Sequence, residues 1–389
     1  MKKIAFFATK FIAGGLEKSL LELIDVIDHN QYEVTVFLPN KDGEWTHLLQ
    51  EKARVVILEE ENFKFLVKKH LKNFDLIKLL RTFIFRCKAV ILSRRNYFKG
   101  LEYRVKSMTK YPEQFDIAIA YQVLDEHVIT NCLYRINSYK KVLWVHQRFN
   151  TMKPDFYNWY IDFDKVFCVS KYLETQTQTM FPKLNSKTEV FYNITNPNEI
   201  KKMADAYPLE LRTRETQVVL VTVGRISEEK GQAVIPQVAR LFLEKRYNII
   251  WYLVGEGPLE TEIEEKIKQY GVTDNVVLCG RKDNPYPYIK NCDIYVQTSK
   301  TEGWGLTVSE AKILKKPIVT TEAGVMSEQI DNGINGIITE NDSAEEICNA
   351  IEQLIVNPDL RKSFIAALEK DGLNNGNKKE IQKLYSLME

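Results

Sequence analysis

Three glycine-bearing turns in this 389-residue chain carry residue types suited to anions and hydroxyls. In TKFIAGGLEKSL, Gly14 and Gly15 precede a helix-length run. Glycine lets the backbone approach an anion, and the first N–H groups of the helix point towards it. The pattern is not GxGxxG, so the dinucleotide fingerprint is absent, and a loop needing positive φ is the bland alternative. In VGRISEEKG, Arg225 and Lys230 lie between a strand and the next helix. A planar fork and a mobile point charge together neutralise a diphosphate without a metal, whereas a pair of solvated surface cations does nothing. The third turn is TEGWGLTVSEAK, with Glu302 in a loop, Gly303 and Gly305 flanking Trp304, and Glu310 one turn into a helix that begins near Leu306. The N–H groups of Gly305, Leu306 and Thr307 favour a phosphate there. Two carboxylates would repel it unless each holds something else. A carboxylate can accept two hydrogen bonds, which suits the vicinal diol of a ribose at Glu310 and sugar hydroxyls at Glu302. The alternative for Glu310 is a carboxylate that only favours its own helix N-terminus, worth a few tenths to about 1 kcal/mol.

These turns need strands before them and helices after them. Short apolar runs at 4–8, 34–38, 55–58, 117–120, 142–145 and 166–169 read as strands, separated in several places by helix-length segments such as 16–27. A second series follows at 218–223, 249–254, 276–278, 294–297 and 318–320, with helices at 258–270 and 306–314. Strands alternating with helices imply parallel sheets covered on both faces, with ligands at the strand ends. The predicted fold class is α/β, as two doubly wound domains in tandem. FYNITNPNEI marks the boundary, and a polar helical linker runs on to about Thr216. The domains are placed at 1–192 and 193–372, with a C-terminal helix at 373–389 free to pack back on the first.

Composition is that of a soluble globular enzyme. The six cysteines form no CxxC pair; Cys168, Cys279, Cys292 and Cys348, in or beside apolar runs, read as small buried hydrophobes. Lys10 interrupts the apolar N-terminus, which fits a first strand better than a signal peptide, and no run of 18 apolar residues is available to span a membrane. The net charge of +2 hides an asymmetry. Residues 62–110 hold 14 Lys and Arg against Asp75 and Glu102, leaving 40 basic and 50 acidic residues elsewhere. In a helix from Phe63, Phe63, Val67, Leu71 and Phe74 share a face while Lys64, Lys68, Lys69 and Lys72 fall off it. Contact with an anionic membrane is expected; packing of that stripe on the domain's own sheet is the alternative. Basic residues interleaved with aliphatics argue against nucleic acid as a partner.

EGWGLTVSE and GRISEEKG resemble the Glu-x7-Glu and Gly-Arg…Lys-Gly motifs of glycosyltransferase family 4, retaining nucleotide-sugar enzymes of the GT-B fold. VGEGP, VVLCGRKDN and PIVTTEAGVMSEQI…GINGIIT are similar to its C-terminal domain in the same order, so the resemblance covers nearly all of 217–340. It is thinner in the N-terminal half, at Gly14-Gly15, WVHQ and VFCVSKYLE. The resemblance implies two Rossmann-like domains facing across a cleft that holds a nucleotide-sugar donor. Gly14, Gly15, Arg225 and Lys230 would meet the diphosphate, Glu310 the ribose, and Glu302 the donor sugar. Gly255 and Arg281 would lie on the nucleotide side, with the base against backbone near Arg281. His146 would stand near the donor sugar. A front-face route, in which the departing phosphate oxygen helps deprotonate the acceptor, needs no protein nucleophile. No cofactor and no metal are expected. Trp304 and NITNPNE depart from the family pattern, and Trp304 would narrow the donor pocket.

The function so implied is a retaining hexosyltransferase acting on a glycan or lipid-linked saccharide in surface polysaccharide synthesis, with UDP-sugar favoured over GDP-sugar. It would be cytoplasmic and peripheral on the inner face of the membrane. Alternatives are a sugar-nucleotide epimerase of the same fold, a transferase with a soluble or protein acceptor, and a binding protein using the basic segment.

Overall fold

The computed structural model describes residues 1–149, 157–211, 216–370 and 376–389. Part of the linker, 212–215, and the start of the expected C-terminal helix, 373–375, lie outside these. The chain divides into two units, Met1–Thr195 with Asn377–Glu389 and Asn196–Gly376. The first boundary falls three residues beyond the one placed from sequence.

Unit 1 runs β1 (Lys2–Phe7), α1 (Gly15–Val26), β2 (Tyr32–Leu38), α2 (Thr46–Lys52), β3 (Arg54–Ile57), α3 (Phe63–Lys72), α4 (Leu76–Ser93) and α5 (Tyr97–Lys106). It continues with β4 (Gln114–Ala120), α6 (Glu126–Tyr134), β5 (Asn137–Val145), α7 (Tyr157–Tyr160), β6 (Lys165–Cys168), α8 (Lys171–Met180) and β7 (Thr188–Val190). Its seven strands pair in the order β3-β2-β1-β4-β5-β6-β7, all parallel. Central strands of a parallel sheet are covered on both faces and so read as unbroken apolar runs. Ile4, Ala5, Phe6, Ile117, Ala118, Ile119, Val142 and Leu143 are all fully buried.

Unit 2 runs α9 (Pro197–Ala204), β8 (Val218–Val223), α10 (Ile235–Glu244), β9 (Ile249–Val254), α11 (Glu260–Tyr270), β10 (Val276–Leu278), α12 (Tyr286–Asn291) and β11 (Ile294–Gln297). It ends with α13 (Leu306–Ile313), β12 (Ile318–Thr321), β13 (Ile337–Thr339), α14 (Ala344–Val356) and α15 (Pro358–Lys370). The order is β10-β9-β8-β11-β12-β13, again all parallel. Its core joins Leu220, Trp251, Leu253, Ile294 and Val319 of the sheet to Val238 and Phe242 of α10 and Ile351 of α14. The expected pair of α/β sheets is what the chain forms. The two strands missed, β7 and β13, are three residues long and stand at sheet edges.

The last helix, α16 (Gly376–Ser386), belongs with unit 1 from Asn377 onward. Tyr385 stacks on Tyr32 at 4.3 Å and its hydroxyl accepts from the Asp28 N–H at 2.9 Å. Lys2 Nζ donates to Met388 O at 2.8 Å, and Leu384 is fully buried. The segment 62–110 forms three helices, α3, α4 and α5. Phe74 takes a left-handed φ of 51° and the Asp75 carboxylate caps Lys78 N at 3.0 Å, so the chain turns there and a new helix starts. Of the predicted apolar face, Phe63, Leu71 and Phe74 are exposed and Val67 is half-buried; α3 instead buries Leu66 and His70, so that stripe as a whole does not pack on the sheet. All six cysteines are unpaired; Cys279 is half-buried where burial was expected, and Cys132 is buried.

Truncating a fully buried leucine removes transfer energy and leaves a cavity, at about 2–5 kcal/mol. Leu384→Ala is therefore expected to lower the denaturation midpoint and to speed amide exchange in β1 and β2, although it lies more than 340 residues from both. Unchanged exchange in those strands would show that α16 contributes nothing to unit 1.

Candidate functional site

In an open parallel sheet the loops leaving two neighbouring strands diverge where the strand order reverses, and that is where ligands bind. In unit 2 this point lies between β8 and β11. The loop after β8 carries Arg225 and Lys230, and the loop after β11 carries Glu302 and Gly305. The two loops are zipped together. Lys300 N donates to Glu229 O at 2.9 Å and Thr298 Oγ1 to Lys230 O at 3.0 Å. Gly231 closes the first turn at φ 66°, and a Cβ there would stand 2.1 Å from Thr298 O, so no other residue fits.

Lys230 and Glu302, 72 residues apart, meet directly, with Nζ to Oε1 at 2.6 Å. Glu302 is 8% exposed, and the same oxygen accepts from Ser299 Oγ at 2.7 Å and Gln297 Nε2 at 3.3 Å. Gln297 in turn accepts from Tyr295 OH at 2.8 Å and Thr307 Oγ1 at 3.3 Å, linking the carboxylate to the first turn of α13. A buried charge costs far less when it is paired and hydrogen-bonded, and Glu302 has both. Arg225 is exposed on the same loop, and its carbonyl accepts from Gln232 Nε2 at 2.8 Å.

α13 begins at Gly305, whose φ of 85° swings the chain from loop to helix. Gln329 fixes this start: its Nε2 donates to Trp304 O and Gly305 O, and its Oε1 accepts from Ser309 Oγ at 2.7 Å. Leu306 and Thr307 are half-buried in the first turn. Glu310, 4% exposed, accepts from Tyr286 OH at 3.4 Å. Gly255 N donates to Gly280 O at 3.0 Å, tying the loop after β9 to that after β10. Arg281 bridges the same loops, 3.3 Å from Asp283 and 3.8 Å from Glu256. Unit 2 thus gathers Arg225, Lys230, Glu302, Gly305, Leu306 and Thr307 on two zipped loops. Glu310 lies one turn deeper, and Gly255 and Arg281 sit beyond β9. Among the described residues no three His, Cys, Asp or Glu side chains group to hold a metal ion.

Unit 1 reverses between β1 and β4. Gly14 is the N-cap of α1 and Gly15 its first residue. Thr9 N donates to the Gln122 carboxamide at 3.0 Å, joining the loops after β1 and β4. His146 follows β5; its ring lies 4.3 Å from that of Tyr121 and stacks on Trp144. The residue is half-buried, but its Nε2 is sealed with no hydrogen-bond partner among the described residues, and burial pushes its pKa down to about 3, so the ring is neutral. Tyr121 OH lies 3.1 Å from Ser19 Oγ, which donates to Asn193 Oδ1 at 2.8 Å.

Sequence reasoning missed Gln297, Ser299, Tyr286 and Gln329, which anchor the two glutamates and the start of α13. It also missed Glu17. That residue sits on the third position of α1, and an added Cβ on Gly14 would meet its Oε2 at 2.7 Å. The carboxyl therefore folds back over the helix N-terminus where an anion was expected. It is 8% exposed, and burial pushes its pKa up to about 7.

These sheets bring cations, buried carboxylates and a helix N-terminus to one strand-end edge. Proteins similar to this chain identify its class. Residues 204–371 match the family described as Glycosyl transferases group 1. An uncharacterized glycosyltransferase of Methanocaldococcus jannaschii, MJ1059, is 25% identical over 287 residues, 62% of this chain and 70% of its own. The capsular polysaccharide biosynthesis glycosyltransferase CapM of Staphylococcus aureus is 30% identical over 147 residues, 38% of this chain and 39% of its own. The solved structure of Anabaena Alr3699/HepE in complex with UDP and glucose shares the fold at a TM-score of 0.70 and 19% identity, covering 99% of this chain and all of that one. The chain is a glycosyltransferase, similar over residues 204–371 to the group 1 family.

Glu17 yields a pH signature. Its folded pKa lies above that of the unfolded chain, so the folded state holds the proton more tightly. The stabilisation is fully present below about pH 4.5 and is lost as pH rises to about 7. Glu17→Gln is expected to melt higher than the wild type at pH 8 and to differ little from it at pH 4.5. Parallel melting curves for the two proteins across pH 4.5–8 would show that Glu17 titrates normally.

Proposed function

We propose that the chain is a retaining glycosyltransferase of family 4 that moves a hexosyl group from a UDP-sugar to a glycan or lipid-linked saccharide in surface polysaccharide synthesis. It acts as a peripheral protein on the inner face of a membrane. The observation that carries the reading is the direct contact of Lys230 with Glu302 at the β8–β11 reversal, beside the N-terminus of α13. A diphosphate and a sugar occupy adjacent positions on one donor, and here a cation and a carboxylate stand side by side to receive them. Support for the substrates comes from relatives: HepE was solved with UDP and glucose, CapM serves capsule synthesis, and LpsE of Rhizobium meliloti serves lipopolysaccharide core synthesis.

In this reading Lys230 and Arg225 neutralise the diphosphate as it departs, with the α13 amides adding their dipole. Glu310 accepts from the ribose diol. Glu302 accepts from donor-sugar hydroxyls while keeping its bonds to Ser299 and Gln297. The departing phosphate oxygen takes the acceptor proton on the face it leaves. His146, neutral, packs near the donor sugar without acting as a base. The chain uses no metal and no cofactor, and nucleic acid is not a partner. An epimerase would produce a new sugar nucleotide from donor alone; this enzyme would only hydrolyse it slowly.

Two outcomes test the site. Activity is expected to survive EDTA. Arg225→Ala is expected to lose a charge-assisted bond, about 1.5–3 kcal/mol or roughly ten- to a hundred-and-fiftyfold in turnover per donor bound. Arg225 is the cleaner probe because Lys230→Ala would also strand buried Glu302. Full loss of activity on chelation, restored by Mg²⁺ or Mn²⁺, would overturn the metal-free reading.

The glutamates divide by ligand. Glu310→Ala is expected to weaken UDP itself, since UDP carries the ribose. Glu302→Ala should spare UDP, because it frees Lys230 for the diphosphate, and should damage turnover. Calorimetry with UDP decides the matter, and equal loss in both variants would refute the division.

A further inference from the structure

α4 buries little of its apolar surface. Thr82 and Ala89 are its buried residues, with Leu79, Phe85, Arg86 and Leu92 half-buried beside them; Thr82 Oγ1 donates to Ser107 O at 3.5 Å and Arg86 to Glu61 O. Most of its large apolar side chains face out. Leu76, Ile77, Leu80, Phe83, Ile84, Val90 and Ile91 are all exposed, Ile77 at 83% and Ile91 at 65%. Residues 77, 80, 84, 87 and 91 recur every three or four positions, so they form one continuous stripe along a helix about 27 Å long. Exposed Phe63 of α3 meets Phe83 of the stripe at 6.3 Å, and Phe65, Leu71 and, at 90%, Phe74 are exposed in and just after the same helix. Single exposed hydrophobics are ordinary, but a contiguous band of this size marks a surface that something apolar covers.

Charge selects the occupant. Lys78, Arg81, Lys88, Arg94, Arg95 and Lys99 flank the stripe, and no acidic residue occurs anywhere from 76 to 101. The spacing would also suit a helix-to-helix seam. Two copies of α4, however, would bring Arg81 and Lys88 against like charges with no carboxylate to answer them. An apolar phase with an anionic rim satisfies both features. No helix among the described residues is long and apolar enough to cross a membrane, which leaves a helix lying in the plane of the interface.

We propose that α4 is an interfacial membrane helix. Its stripe of Ile77, Leu80, Phe83, Ile84 and Ile91 enters the outer acyl region of an anionic bilayer, while its lysines and arginines stay among the lipid phosphates. This rests on the peripheral reading above and adds insertion to it. Adsorption by charge alone is screened away by salt, whereas buried aliphatic area is not. The residues that hold the protein on the membrane are therefore the aliphatics of α4, more than the lysines of α3.

Cys87 lies in the middle of the stripe and is exposed, while Cys132, Cys168, Cys292 and Cys348 are buried. In the full chain with half-buried Cys279→Ser, an environment-sensitive thiol fluorophore on Cys87 reads the depth of the helix. With vesicles of phosphatidylglycerol and phosphatidylethanolamine, the expected result is a blue shift, quenching by lipids brominated on the upper acyl chain, and binding that persists when salt is raised after mixing. The exposed double variant Ile77→Lys, Ile84→Lys adds two positive charges, yet it is expected to lose the quenching and to partition on the order of a hundredfold more weakly at high salt. Binding that salt reverses, with the fluorophore still in water, would overturn insertion and leave peripheral adsorption standing. Absence of binding to these vesicles at low salt would overturn both. A blue shift without lipid that grows with protein concentration would show instead that the stripe meets a second copy of the chain.

Discussion

Parallel strand pairing throughout both sheets is the constraint on which the site depends. Parallel neighbours cannot be joined by a tight hairpin, so every strand must be followed by a crossover, here mostly helical, before the next begins. All strands then end on the same edge of their sheet, and every loop that leaves that edge is a candidate for chemistry. Chain order alone does not bring Lys230 to Glu302. The reversal between β8 and β11 makes neighbours of two strands whose following loops lie 72 residues apart. The helices after them aim their N-termini at the same edge, which gives the site its fixed positive field without spending a side chain on it.

The Lys230–Glu302 pair serves structure and chemistry together. Burying Glu302 unpaired would cost several kcal/mol, and burying it against Lys230, Ser299 and Gln297 removes most of that cost. The network also fixes the carboxylate's orientation, because three donors converge on one oxygen and leave the other free to turn outward. Under the proposed function, a lysine held in this way would meet the diphosphate with little loss of rotamer freedom, since that freedom has already been lost to the fold.

Much of this was legible in the residues. β8, β9 and β11 of unit 2 could be read to the residue because each is a mostly buried apolar run, while β12 was read one residue short of its end at Thr321. β7 and β13 were missed: both are three-residue edge strands, and TEV of β7 has a charged residue between its two β-branched ones, whereas the equally short edge strand β10 is the uninterrupted apolar VVL and was read. The motif residues were found by type and spacing, but their partners were not. Nothing in the order of residues says that Gln329 reaches back to Trp304, or that Glu17 folds over the turn at Gly14. In the basic segment an apolar face was read only over a helix from Phe63 to Phe74. The left-handed turn at Phe74 restarts the phase, so the stripe on α4 is continuous only when counted from Leu76.

The return of α16 to unit 1 also orders events in time. Lys2 bonds to Met388, and Tyr32 stacks on Tyr385. Unit 2 is therefore an insertion between two parts of unit 1. During synthesis from the N-terminus, unit 2 leaves the ribosome whole and can close while unit 1, begun first, still lacks its last helix. The half of the molecule that carries the exposed helices waits longest for completion. It spends that interval with the surface later covered by Leu384 open, and with the longest-range contacts of the chain still to be made.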